Sequence, residues 1–289
     1  MVLLKTDFEA DWIVEMRRIM EEHWAMDLAS AKTEELAALF FHARTRRVEP
    51  RPRAVHLSNT FGCPLEHEAG WAELKVKIET GEDLSPHLSL KIEDFKGKDG
   101  LLLDWGIYHF HLGQAQHAKN KSFVERTGPV VFGFPTDDAF HAVGIYQHGA
   151  WSDSSVIETL HANWPHLTEE AKMQGSGMSL GQRYTDGDRK MLRAAGINLI
   201  TPLSDGSLLF PLGGGYSGNG ISAQAVTDAE LERQRIHGLQ HLIHDRAAEV
   251  ARALKAEGYT GNTEVVGRLN FGNGVQWVSF DGFRVCFAV

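Results

Sequence analysis

Between Asp11 and about Ala29, the apolar residues Trp12, Ile13, Met16, Ile19, Met20, Trp24 and Leu28 recur at three- and four-residue spacing, which predicts an amphipathic helix. A second helix is expected from Thr33, as its cap, to about Arg44, and a third over Glu66 to Glu79 with Gly81 as its stop. Period-two alternation then takes over. Strands are expected from near Leu101 through Gly113, from Phe123 to Phe134 and from Ala139 to Tyr146, the last two joined at Pro135-Thr136-Asp137-Asp138. A helix capped by Ser152 or Ser154 should end at Trp164 before Pro165.

Beyond Leu167 the pattern predicts a loop over 173–184, a helix over 186–195, and a hairpin of 199–202 with 207–212. A glycine-rich run over 213–220 reads as a loop rather than a phosphate cradle, since no lysine follows it. Thr227 with Glu230 reads as a capping box opening a helix to about Glu257, and strands 264–271, 275–280 and 283–288 close the chain as a meander. The expected class is α+β: N-terminal helices, a central antiparallel sheet flanked by helices, and a C-terminal α+β portion ending in a β-meander. Boundaries are expected at 1–58, 59–167 and 168–289.

The stretch with most chemistry is Gly106-Ile107-Tyr108-His109-Phe110-His111, because alternate strand residues share a face and His109 and His111 are presented together. Three uses fit that pair. Both histidines can be satisfied core residues. They can ligate Zn or another divalent metal with Asp104 and His148. They can also cleave a phosphodiester without metal, one histidine as base and the other or His141 as acid, with Arg126, Lys119 and Lys121 on the phosphate and Tyr108 beside it. The arginines of 44–53 lie on a proline-broken, extended connection, solvated or, through Arg46 and Arg47, contacting phosphate. On the later helix, His237, His241 and His244 share a face that reads as solvated.

Composition trims these options. A formal charge of −9, from 38 acidic and 29 basic residues, argues against a surface that grips nucleic acid everywhere, though not against a local basic patch. Cys63 and Cys286 lack metal spacing and read as buried thiols of a reducing compartment. No apolar run is long enough to cross a bilayer and no signal-peptide pattern opens the chain, so a cytoplasmic protein without membrane contact is expected.

The central region resembles the RelE-like toxin ribonucleases: a helix, then a strand reading Gly106-Ile107-Tyr108-His109-Phe110-His111, Arg126 entering the next strand, a turn at Asp137-Asp138, and His148 after the third. That family's strand reads Gly-x-Tyr-Arg-x-Arg, so histidines stand here where arginines are usual, and this chain is about three times the family's length. The resemblance implies RNA cleavage through His109, His111 and Arg126 without a cofactor, and a neutralising antitoxin partner. The alternatives are a metal-dependent hydrolase using the histidine strand and a non-enzymatic binding or assembly protein whose C-terminal half makes an oligomer contact.

Overall fold

Asp7 accepts the Ala10 amide with its carboxylate and starts the first helix. From there the computed structural model, which describes residues 2–174, 180–182, 184–272 and 274–289, sets out the elements in chain order. They are β1 (Leu3–Thr6), α1 (Phe8–Arg18), α2 (Leu36–Thr45), β2 (Ala54–Leu57), α3 (Glu68–Thr80), α4 (Gly100–Trp105), β3 (Tyr108–His111), β4 (Pro129–Pro135) and β5 (Ala139–Gln147). Then follow α5 (Ser154–Asn163), α6 (Asp186–Ala194), β6 (Thr201–Pro202), β7 (Leu208–Leu209), α7 (Ala223–Asp245), α8 (Ala247–Ala256), β8 (Glu264–Gly272), β9 (Val275–Phe280) and β10 (Phe283–Ala288). The class is α+β. Among the described residues no helix is long and apolar enough to cross a membrane.

The chain forms two compact units, Met1–Phe41 with Ala225–Val289, and His42–Gln224. This differs from the three consecutive stretches expected at 1–58, 59–167 and 168–289. The reason is β1, which adds in parallel to β8 and ties the start of the chain to its end in the sheet order β1-β8-β9-β10. Inside this first unit the Asp11 carboxylate accepts the Leu269 amide, and Gln240 accepts the Phe8 amide. His237 pairs with Glu9 at 2.9 Å and His244 with Thr6 at 2.8 Å, so two of the three helix-face histidines are taken by neighbouring side chains.

The second unit is a sheet of order β2-β5-β4-β3, with β2 parallel to β5 and the other pairs antiparallel. One face carries Phe110, Val131 and Phe140 against Trp71, Leu74 and Ile78 of α3. The other carries Val130, Phe132 and Val143 against Val156, Ile157 and Leu160 of α5, with Trp105 of α4. Each such side chain, fully buried, contributes roughly 1.5–3 kcal/mol. Both faces of β4 and β5 are therefore covered.

Several expected boundaries move. Residues 100–105 are helix rather than the start of a strand, because Asp99 caps them and Gly106, at φ 71°, stops them. Thr33 lies in a 3₁₀ turn whose preceding Lys32 makes no side-chain cap, and Asp153 caps α5 instead of Ser152 or Ser154. The long C-terminal helix begins at Ala223, which leaves Thr227 and Glu230 inside it, and it breaks at Arg246. The second strand starts at Pro129, not Phe123. Cys286 is exposed rather than buried, and both thiols are free. The loop expected over 173–184 falls partly outside the described residues.

Candidate active site

The site lies in the second unit, where α4 hands the chain to β3. Asp99 is extended, and its Oδ1 accepts the amides of Leu101 and Leu102 at 3.1 Å each. The left-handed turn at Gly106 then folds β3 back so that the helix cap faces the strand. Asp99 Oδ2 comes to lie 3.2 Å from Nδ1 of His109. That is an ion-pair distance, with Nδ1 off the line of a full hydrogen bond. Catalytic hydrogen bonds are commonly long in unliganded sites and tighten when substrate arrives. Burial works to raise the Asp99 carboxyl, but the His109 ring and the capping amides outweigh it and hold the group below its ordinary range. A carboxylate at Nδ1 favours the tautomer that leaves Nε2 as a base.

Around this pair opens a cavity of about 430 Å³, the size of a small-ligand site. Leu88, Ile92 and Tyr108 line it with apolar surface, while Lys98, Lys190 and Arg193 bring positive charge. Asp99 is its one carboxylate among the described residues. The wall segment 89–99 is pinned by α2. His42 donates from Nε2 to the Gly97 carbonyl at 3.0 Å and accepts the Ser222 amide at Nδ1. One helical turn on, Arg46 donates to the carbonyls of Lys91 and Asp94 at 2.7 Å each. Burial, reinforced by the Arg46 charge, pulls His42 down to about 4, so it is neutral at physiological pH.

His111 shares the face of His109, as alternation predicts, yet it is 0% exposed, with the rings of His109 and His148 beside it. Its Nδ1 accepts the Thr127 amide at 3.0 Å, which puts the proton on Nε2, a buried atom without a hydrogen-bond partner among the described residues. Burial, then the charges of Arg126, His109 and His148, pull His111 down to about 2. It cannot exchange protons in the working pH range. His148, in contrast, is exposed and lines the cavity with His109. Burial, then His109 and Arg126, lower it from its ordinary value. The Trp151 ring packs 4.5 Å from His109 and 4.9 Å from His148, centroid to centroid.

Behind the cavity sits a buried ionic set. Asp104, 2% exposed, accepts from Arg189 and Arg193 at 2.8 Å, and both guanidinium groups lie over the Trp105 ring at 5.2 and 4.1 Å. Arg193 Nη1 also donates to the Trp151 carbonyl. Tyr216 is delivered by the glycine-rich run, whose Gly213 and Gly215 amides donate to the carbonyls of Asp104 and Leu103. A Cβ at Gly213 would collide with the Leu102 carbonyl, so only glycine allows this approach. The run is thus a packing loop that seats Tyr216 in the cavity wall.

Set against the sequence, the structure brings together His109, His148 and Tyr108, and it places Arg126 close enough to act on both His111 and His148. Arg126 spends one N–H on the Leu88 carbonyl at 2.7 Å. The others part company. His141 donates to the Phe134 carbonyl and packs on His56 and Trp164, two strands from β3, or roughly 10 Å across the sheet. Lys119 and Lys121 are exposed and do not line the cavity. Arg46 lines it but gives its N–H groups to carbonyls, and Arg47 turns back onto Ala43. Asp104 cannot join His109, His111 and His148 in a metal set, being held by the two arginines. No group of three or more His, Cys, Asp or Glu among the described residues is placed to hold a metal ion.

Asp99, Trp151, Lys98, Lys190, Arg193 and Tyr216 were not foreseen. Asp99 alone had a local signal, an Asp one residue removed, across Gly100, from the apolar run Leu101-Leu102-Leu103. The rest come from segments remote in sequence. Comparisons with protein-family models, with curated proteins and with solved structures found no match to the chain, so the function has to be argued from this geometry.

Proposed function

We propose that the second unit is a metal-independent ribonuclease of toxin type, with His109 as its general base. The observation that carries the reading is the Asp99–His109 pair inside a cavity walled by Lys98, Lys190 and Arg193. The scheme needs no protein nucleophile, since the RNA supplies its own 2′-hydroxyl. His109 Nε2 takes that proton, O2′ attacks phosphorus, and the P–O5′ bond breaks. The leaving oxygen takes a proton from His148, giving a 2′,3′-cyclic phosphate and a free 5′-hydroxyl. Arg126, whose charge reaches His148, stabilises the charge gathering on the phosphoryl oxygens, while the lysines and Arg193 draw the polyanion into the cavity. RNA as substrate and an antitoxin as partner follow the RelE-like resemblance of residues 106–111. His148, rather than His111, takes the second proton-transfer role.

The test is cleavage of single-stranded RNA by the full chain, with and without EDTA, alongside His109→Ala and His148→Ala variants of unchanged circular dichroism. EDTA-resistant cleavage that falls by roughly 10²–10⁴-fold in each variant is expected. Cleavage that EDTA abolishes, or that survives in His109→Ala, would overturn the reading.

A further inference from the structure

The buried ionic set is out of balance. Arg189 and Arg193 bring two positive charges to the single carboxylate of Asp104. Uncompensated charge is costly where water is excluded. Three polar atoms here have no hydrogen-bond partner among the described residues: the acceptor Asp104 Oδ1 and two that can donate, Arg193 Nη2 and the Tyr216 hydroxyl. Both residues are 5% exposed and both line the cavity. Nη2 lies 2.8 Å from Asp104 Oδ2 but is not aligned to donate there. A buried guanidinium N–H and a buried hydroxyl, side by side and unsatisfied, are half of a site whose other half is an anion.

The rim extends the pattern. Lys190 precedes Arg193 by three positions on α6 and so shares its helix face. The Lys98 ammonium lies against Gly220, in the turn that Tyr216 opens, where a Cβ would collide with it. Both lysines are exposed and form no ion pair among the described residues. Asp99, the one carboxylate in the lining, is occupied by His109. The positive charge thus exceeds what one phosphodiester, at one negative charge, would balance. A phosphomonoester carries roughly 1.5 to 2 negative charges near pH 7. A cavity of about 430 Å³ also accepts a chain end more readily than a strand that must enter and leave.

We propose that Arg193 and Tyr216, with Lys98 and Lys190 at the rim, form a subsite for a terminal phosphomonoester of a single-stranded RNA, so that the enzyme acts at a phosphorylated chain end. This rests on the ribonuclease reading for the polymer, but not for the phosphate. Binding to the full chain carrying His109→Ala, which prevents turnover, separates the two. The probes are one oligoribonucleotide prepared with a 5′-phosphate, with a 3′-phosphate and with neither, together with inorganic phosphate as competitor.

One phosphorylated form is expected to bind at least tenfold more tightly than the unphosphorylated oligonucleotide, with inorganic phosphate competing for it. Which end is preferred identifies the source of the phosphate. Adding Tyr216→Phe should remove most of that preference and leave the melting temperature unchanged, because the hydroxyl makes no hydrogen bond among the described residues. Lys190→Gln should reduce the preference in part. Equal affinity for all three oligonucleotides, or a preference that survives Tyr216→Phe, would overturn the subsite. If the wild type cleaves RNA without regard to its ends, the subsite fails and the ribonuclease stands. If inorganic phosphate binds in a Tyr216-dependent way while no RNA binds or is cut, the ribonuclease fails and the phosphate site stands.

Discussion

Asp99 does two jobs with two oxygens: Oδ1 caps α4 and Oδ2 faces His109. Asparagine is as good a cap as aspartate but has no charge to hold an imidazole. Asp99→Asn is therefore expected to melt within a degree or two of the wild type while RNA cleavage falls by roughly 10²-fold or more. A loss of activity matched by a loss of melting temperature would mean that the carboxylate serves the fold alone. The two strand histidines make the complementary point. They share a face and a spacing, yet His109 is 8% exposed on a cavity and His111 is fully buried with its Nδ1 filled by an amide. His109, the one of the two that lines the cavity, is the base in the proposed ribonuclease.

At the scale of elements, the site depends on the short helix α4 being clasped from outside. Its last carbonyls, at Leu103 and Asp104, are taken by the glycine-rich run, and that contact is what holds Tyr216 at the cavity. Gly213→Ala puts a methyl group into the Leu102 carbonyl, where backbone rather than a flexible side chain must give way. The expected result is a destabilisation of about 1–3 kcal/mol by urea unfolding, with Tyr216 displaced and phosphate affinity reduced. An unchanged midpoint would mean that the run can slide off α4 without cost. Turn chemistry and periodicity predicted α3, α6, the hairpin of β4 and β5, and the closing meander. They misread α4, because a six-residue helix is too short to display its period and its leucines look equally like a buried strand.

At the scale of the whole molecule, buried neutral histidines couple stability to pH. His42 is lowered to about 4 and His111 to about 2, against an ordinary 6.5 that each regains on unfolding. The folded state binds fewer protons, so their contribution is complete above pH 6.5 and is lost on acidification. While both rings stay neutral in the fold and charged in the unfolded chain, each costs about 1.4 kcal/mol per pH unit. Urea midpoints should fall steadily between pH 6.5 and 5, and His42→Gln should flatten that slope by about one proton's worth. A midpoint independent of pH over this range would contradict the burial of both rings.

Local order was legible in the sequence by itself: the α+β class, most helices and turns, and the common face of His109 and His111. These depend on neighbours within a few positions, where spacing and turn residues carry the information. The partners of each group were decided by tertiary structure. Asp104 sits four residues before β3 and His148 directly follows β5, yet one is locked by arginines 85 and 89 residues away and the other opens on the cavity. Asp99 meets His109 because a left-handed glycine folds the strand back onto a helix cap, and Tyr216 reaches the site because a loop over a hundred residues later docks on that helix. Burial and charge pairing are properties of what the fold brings alongside a residue, and no local pattern encodes them.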